Sequence, residues 1–367
     1  MTTDFAQRRD RLASRVRKEG LDAILVADLA NVAYLTGFGG DSSFLIVTPT
    51  HAKFLSDARY EEQTAEECPG LDAYFRRPGE TQIQSTARRL DELACKRVGY
   101  EPASLSVLNF SALQEETKTV EWRGLVNWVE ELRVIKDEGE IAALKDSVRM
   151  AEEAYREVVG SLSPNDTEKQ LADRLEFAMR SRGATVAAFP TIMAAGSLSG
   201  HPHAIPRSKP IGGESILLID WGAKGKFYHS DCTRTFSLGA PSDKFREVYE
   251  IVLAAQERAI AAIRPGVKAS DVDGVARNYI SDKGFGAEFN HGLGHGVGLQ
   301  IHEAPQMRPE STVVLQPGMV VTVEPGIYLQ GWGGVRIEDM ALVTESGAEL
   351  LTSLPKSLEE ARTSFVR

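Results

Sequence analysis

The chain has 367 residues, 42 basic and 52 acidic, for a net charge of −10. An acidic surface opposes binding to a phosphate backbone, which depends on Lys and Arg neutralising phosphates, so nucleic acid is not an expected partner. The length suggests about two domains of roughly 150 residues. A chain this long buries enough apolar surface to fold without disulfides. Three cysteines without a CxxC pair fit a reducing compartment, the N-terminus is charged where a signal peptide turns apolar, and no apolar run approaches the roughly 18 residues of a membrane span. A cytoplasmic protein without membrane contact is expected.

The first segment reads as a small α/β unit. Residues 4–19 suit a helix, with Phe5, Leu12 and Val16 on one face and Gly20 as its stop. Ala23–Ala27 has a buried-strand pattern. Phe44–Val47 and Lys53–Leu55 form a strand pair around Pro49 and Thr50. Helical stretches near 59–67, 81–95 and 104–118 flank a strand at Arg97–Tyr100. The alternation predicts a mostly parallel sheet covered by helices. With neither a phosphate loop nor a GxGxxG motif, this segment is expected to be structural or oligomerising. A boundary falls at 133–138, dividing the chain into 1–135 and 136–367.

Beyond it, Ile141, Leu144, Val148, Ala151, Tyr155 and Val158 recur at helical spacing from Glu138 to about Val159. A second helix follows Pro164, with Thr167 and Gln170 spaced as a capping box and Gly183 as a stop. At an offset of 101 residues Pro164 matches Pro265, Leu171 matches Val272, Leu175 matches Ala276, Met179 matches Ile280 and Gly183 matches Gly284. Two similar α/β halves related by a pseudo-two-fold axis would place a site between them.

Acidic residues sit where apolar strands end. Ile216–Ile219 runs into Asp220, and a turn through Gly222, Lys224 and Gly225 folds the chain back toward Asp231. Met319–Val323 ends in Glu324, and a turn rich in glycine leads to Val335, Arg336, Ile337 and Glu338. Between these lies FNHGLGHGVGLQIHEAP, residues 289–305, with His291, His295 and His302 among four glycines. That spacing excludes a stable helix and suits close backbone approach. Four carboxylates gathered together resist ionisation. Two divalent cations would offset four negative charges, with one neutral imidazole completing an oxygen-rich donor set suited to Mn or a similar ion.

Residues 216–236, 289–305 and 319–339 resemble the signature segments of the pita-bread metallopeptidases. Within that family FPTIMAAG, PHA at Pro202–Ala204, IHEAP at Ile301–Pro305 and GVRIED at Gly334–Asp339 resemble the proline-specific branch of aminopeptidase P and prolidase. YLTGFGG at Tyr34–Gly40 and DARYEEQ at Asp57–Gln63 resemble the creatinase-type N-terminal domain. The resemblance implies an α/β (α+β) fold and a dinuclear centre. Asp220 would chelate one metal, His295 and Glu324 would bind the other, and Asp231 and Glu338 would bridge. It implies Mn2+, with Co2+, Zn2+ or Fe2+ as the alternatives, and a homodimer.

The expected chemistry is attack on an Xaa-Pro bond in proline-containing peptides by a hydroxide between the metals. Glu324 is the candidate to accept a proton. His203 and His302 are the candidates to stabilise the intermediate and protonate the proline nitrogen. Arg336, two residues before Glu338, is expected on the same strand face, supporting a ligand. His291 is expected either to support a metal ligand from behind or to line the substrate pocket, His201 and His229 are expected to have no catalytic part, and Cys232 is expected to be a small core residue. An Xaa-Pro aminopeptidase is favoured over a dipeptidase because some prolidases place Arg four residues after the histidine matching His302, where this chain has neutral Gln306, with Arg308 nearby. A pita-bread binding protein without activity, and creatinase-like cleavage of a non-peptide C–N bond, are disfavoured by the complete ligand set. Gln330 departs from the Pro that relatives often carry after the IY pair.

Overall fold

The computed structural model describes residues 4–363 and residue 365. The chain divides into two compact units between Arg133 and Val134.

The first unit is a six-stranded sheet of β1 (Ala23–Val26), β2 (Ser43–Val47), β3 (Ala52–Asp57), β4 (Ala73–Arg76), β5 (Arg97–Tyr100) and β6 (Glu121–Gly124), in the order β4-β3-β2-β1-β5-β6. The β3–β4, β1–β5 and β5–β6 pairs are parallel, while β1–β2 and β2–β3 are antiparallel. The sheet is therefore mixed, because the tight turn after β2 returns the chain directly alongside it. Helices α1 (Phe5–Lys18), α2 (Leu29–Thr36), α3 (Glu61–Glu67), α4 (Gln82–Glu92), α5 (Val107–Glu116) and α6 (Glu130–Arg133) complete the unit. Its core includes Leu25, Ile46, Leu55, Leu90, Val98 and Leu113.

The second unit is built twice over. Helices α7 (Glu138–Val159) and α8 (Glu168–Ser181) precede β7 (Val186–Ala187), β8 (Ile192–Ala195), β9 (Ile216–Trp221), β10 (Ala223–Lys224) and β11 (Cys232–Leu238). Helices α9 (Asp243–Ala262) and α10 (Ala269–Asp282) precede β12 (Gly294–Gly296), β13 (Glu303–Met307), β14 (Val320–Val323), β15 (Gly326–Leu329), β16 (Gly333–Arg336), β17 (Asp339–Val343) and β18 (Ala348–Leu350). The short β19 (Arg362–Thr363) adds to β11. The sheets run β19-β11-β9-β8 and β13-β12-β14-β17-β18, with β15–β16 as a separate ribbon.

Helices α8 and α10 sit 101 residues apart at both ends, matching the repeat offset. Leu171, Leu175 and Met179 are fully buried in one, and Val272, Ala276 and Ile280 in the other. Gly183 and Gly284 both have positive φ, 103° and 87°, just past the helix ends, a backbone region open chiefly to glycine. Thr167 and Gln170 form the expected capping box, whereas Lys268 caps α10 without its side chain. Each half has its own apolar cluster, one around Tyr155, Leu175, Ile219 and Trp221, the other around Val252, Ile280, Val321 and Ile337. Among the described residues no helix is long and apolar enough to cross a membrane.

Candidate metal centre

Both halves deliver acids to one place. β9 and β11 pair antiparallel, with Asp220 opposite Thr233 and Trp221 opposite Cys232. The apolar run Ile216–Ile219 is buried throughout, so Asp220 is carried inward at its end, and Asp231 enters just before β11. From the second half, β14 is wholly buried and ends one residue before Glu324, and Glu338 lies between β16 and β17. Asp220, Asp231 and Glu338 each offer an oxygen within 4.8 Å of the others, all three buried. His295 on β12 places Nε2 3.3 Å from Glu324 Oε1 and 3.6 Å from Asp231 Oδ2.

Glycine makes β12 possible. A Cβ on Gly294 would lie 2.2 Å from the Thr322 carbonyl oxygen, and one on Gly296 2.1 Å from that of Ala304. Only bare backbone permits this approach. The Thr322 hydroxyl accepts from the His295 N–H and donates to Glu324 Oε1, both at 3.0 Å, holding the pair together. His295 Nδ1 faces its neighbour's carbonyl at 3.1 Å, which leaves Nε2 toward the carboxylates.

Arg336 is placed differently from expectation. The chain leaves β16 at Arg336 and reaches another sheet at Asp339, so Arg336 and Glu338 do not share a strand face. Instead Arg336 Nη2 donates to Asp220 Oδ2 at 2.5 Å and Nε donates to the Thr233 hydroxyl at 3.1 Å, which donates to Glu338 Oε2 at 2.7 Å. One guanidinium thus steadies Asp220 directly and Glu338 through Thr233. Its Nη1 donates to the Tyr328 hydroxyl at 2.7 Å, and that hydroxyl meets His291 Nε2 at 3.0 Å. His291 Nδ1 faces the Gly292 carbonyl at 2.8 Å, so the imidazole is the Nδ1–H tautomer with both nitrogens engaged. His291 lines the cavity but turns its nitrogens into the protein.

Thr233 and Tyr328 were not singled out from sequence, since a hydroxyl in strand-forming sequence is ordinary. The β15–β16 register, which sets Gly326 opposite Arg336 and Tyr328 opposite Gly334, is what brings the phenol to the arginine. The same holds beneath Glu338. Arg234 donates to its carbonyl oxygen and pairs with Asp339 at 2.7 Å, and Lys356 reaches the other Asp339 oxygen at 2.6 Å.

A cavity of about 390 Å³ opens over the acids and is lined by Phe189, His203, His302, Gln306, Arg308 and Tyr328 among others. The His302 and His295 rings meet edge to face, centroids 4.4 Å apart. His201 is exposed. His229 is buried, with Nδ1 3.1 Å from the Gly298 carbonyl oxygen. Cys232 is a buried thiol whose pKa burial pushes up.

The donor set fits divalent cations. Burial pushes the Asp231 and Glu338 carboxyls well above the usual range, and the neighbouring acids push them further. Burial opposes the charged imidazole of His295, but Glu324 and Asp231 outweigh it and hold its pKa up to about 9. Burial also opposes the Glu324 carboxylate, yet His295 draws its pKa down to about 2. Among the described residues Asp220 Oδ1 is buried without a hydrogen-bond partner, a costly condition that a cation relieves. Without metal the acids need protons, and divalent ions supply the same compensation.

The model for Metallopeptidase family M24 matches residues 142–345, and that for the Creatinase/Prolidase N-terminal domain matches residues 8–135. A protein named Xaa-Pro dipeptidase from Pyrococcus horikoshii is 34% identical over 348 residues, covering 93% of this chain and 95% of that one. The solved structure of an Xaa-Pro dipeptidase from Bacillus anthracis superposes with a TM-score of 0.93 at 38% identity, covering 97% of this chain and 99% of the other. That of an X-Pro aminopeptidase from Thermotoga maritima gives 0.88 at 35% identity, covering 95% and 99%.

Proposed function

This chain belongs to metallopeptidase family M24, and from that premise we propose that it hydrolyses the Xaa-Pro bond at the N-terminus of peptides, with two divalent ions, Mn2+ first among them. The observation that carries this is the convergence of Asp220, Asp231, His295, Glu324 and Glu338 beneath one cavity. Asp220 would hold one ion, His295 with Glu324 would hold the other, and Asp231 with Glu338 would be shared between them. When bound, such ions lower the pKa of water and polarise a carbonyl.

The chain's own groups do the rest. Glu324 accepts the proton of the attacking water. His203 and His302, on the cavity wall, donate to the carbonyl oxygen as charge develops and return a proton to the proline nitrogen, which must leave as an amine. Arg336, Thr233 and Thr322 keep the acids oriented. The proposal includes a homodimer, tested by light scattering, and a cytoplasmic location, supported by three buried cysteines that form no disulfide among the described residues.

Gln306, neutral and on the cavity wall, supports an aminopeptidase, because a dipeptidase must grip a free proline carboxylate, a task suited to Arg. One observation favours the dipeptidase: Arg308 also lines the cavity, 58% exposed and 3.8 Å from Glu310, so its fork is available. The test compares kcat/KM for Xaa-Pro and Xaa-Pro-Xaa before and after chelation and Mn2+ restoration. The tripeptide is expected to be cleaved at least as well. A dipeptide preference abolished by Arg308→Ala assigns the dipeptidase, and full activity in a verified metal-free sample ends the metallopeptidase reading.

A further inference from the structure

Of the two proposed proton-handling histidines, His302 adjoins β13, whereas His203 is carried by the long connection between β8 and β9. The loop leaves β8 at Ala195 and runs through a 3-10 turn, Gly196–Gly200, to Pro202, His203 and Arg207. His203 itself is exposed and lines the cavity. Both ends of the loop are tied to one carboxylate. Glu168, in the first turn of α8 and fully buried, accepts from the Ala195 N–H through Oε1 at 2.9 Å and from the Arg207 N–H through Oε2 at 2.8 Å. The Arg207 guanidinium closes the pair, with Nε to Oε2 at 2.9 Å and Nη2 to Oε1 at 2.6 Å, and Nη2 also reaches the Ala195 carbonyl oxygen at 3.1 Å.

Between those ends the loop is fastened on either side of His203. Arg336 Nη2 lies 3.4 Å from the Pro202 carbonyl oxygen, and Ala204 is buried against Ile192, Ala194 and Leu218. The buried carboxylate has four donors, all charged or backbone, and such bonds are about twice as strong as neutral ones. A bidentate pair also fixes direction, not only distance. Nothing in metal binding requires Glu168, since its partners belong to the loop alone.

We propose that Glu168 and Arg207 are positioning residues for His203: a clamp that closes the 195–207 loop and sets where the imidazole stands over the cavity. The inference rests on the role given to His203 above. Small displacements of a reacting group are costly, a 1 Å error reaching about a hundredfold in rate. Glu168→Gln loses one acceptor and faces Arg207 with an amide, and Arg207→Met removes the fork while leaving Glu168 its two backbone donors.

The test uses the full-length, Mn2+-loaded protein and a proline-containing tripeptide. Glu168→Gln and Arg207→Met are each expected to lower kcat by about tenfold, with KM changed by less than about threefold and metal content at the wild-type level. Arg207→Lys, which keeps the charge on a single nitrogen but loses the fork, should fall between. The decisive reading is the cycle with His203→Ala: in that background either clamp substitution should cost less than about twofold, because the group it positions is gone. Losses that multiply fully in the His203→Ala background, or an Arg207→Met enzyme with unchanged kcat, overturn the clamp. Arg207, part-exposed, keeps the test open if Glu168→Gln does not fold. If His203→Ala alone leaves kcat intact, it is the role assigned to His203 that fails, a distinct result.

Discussion

Tyr328 uses its hydroxyl twice inside the protein, accepting from Arg336 and donating to His291. Tyr328→Phe leaves a buried arginine N–H and an imidazole nitrogen unpaired, at a cost of about 1–3 kcal/mol each, and frees Arg336 to drift from Asp220. The expected outcome is a lower melting temperature and a weaker Mn2+ affinity by titration calorimetry. An unchanged affinity would show that Asp220 needs no such support. Removing a proposed bridge is more severe: Asp231→Asn or Glu338→Gln should yield protein with neither metal by elemental analysis. His295→Ala should lose metal and activity together, while His203→Ala and His302→Ala lose turnover at wild-type metal content. Equal metal loss in all three would refute the division into ligands and proton carriers. The acids were legible because a carboxylate closing a buried apolar run needs a partner. Tyr328 and Thr233 were not, because register alone gives them their neighbours.

Elements with strong periodicity were read well, and those whose pattern is hidden by their setting were not. The helices α7 and α8, and the offset linking α8 to α10, follow from amphipathic spacing. Helix α2 escaped because Asn31–Thr36 is buried almost all round, which erases the polar face. Strands β4 and β6 escaped because edge strands remain part-exposed and carry charge. Arg336 and Glu338 were assigned to one face because alternation assumes the strand continues, whereas the chain changes sheets between them. The glycines of β12 allow a sharper test. Gly296→Ala places a methyl group inside contact distance of the Ala304 backbone, where overpacking costs about 1–3 kcal/mol or more. Thermal unfolding should show that loss together with weakened metal retention at His295, and a variant with wild-type stability would mean the strand can step aside freely.

The whole molecule offers two independent handles, one for each unit. In the first unit Glu101 accepts from the Ala27 and Asp28 N–H groups and the Asn31 amide, and burial raises its pKa from 4.5 to about 7. A group with a raised folded-state pKa binds its proton more tightly in the folded state. Its contribution is full below about pH 4.5 and is lost as pH rises toward about 7. Unfolding of this unit should therefore shift to lower temperature between those pH values through Glu101, and Glu101→Gln should flatten that dependence. In the second unit all the proposed ligands reside, so chelation should lower only its transition, by mass action. Calorimetry across pH with and without chelator separates the two. A first-unit transition that moves with chelator would contradict this assignment.

The two apolar clusters of the second unit give the proposed ligand set another meaning. Asp220 and Asp231 travel with one cluster, and His295, Glu324 and Glu338 with the other. Across the join the Glu338 N–H donates to the Thr233 carbonyl oxygen at 3.1 Å. Ions seated there would act as rivets between two plates, replacing mutual repulsion with attraction, and the breathing of the plates would then become one event instead of two. Amide protons at the ends of β9 and β14 should exchange independently in the stripped protein and at one common, slower rate once it is loaded.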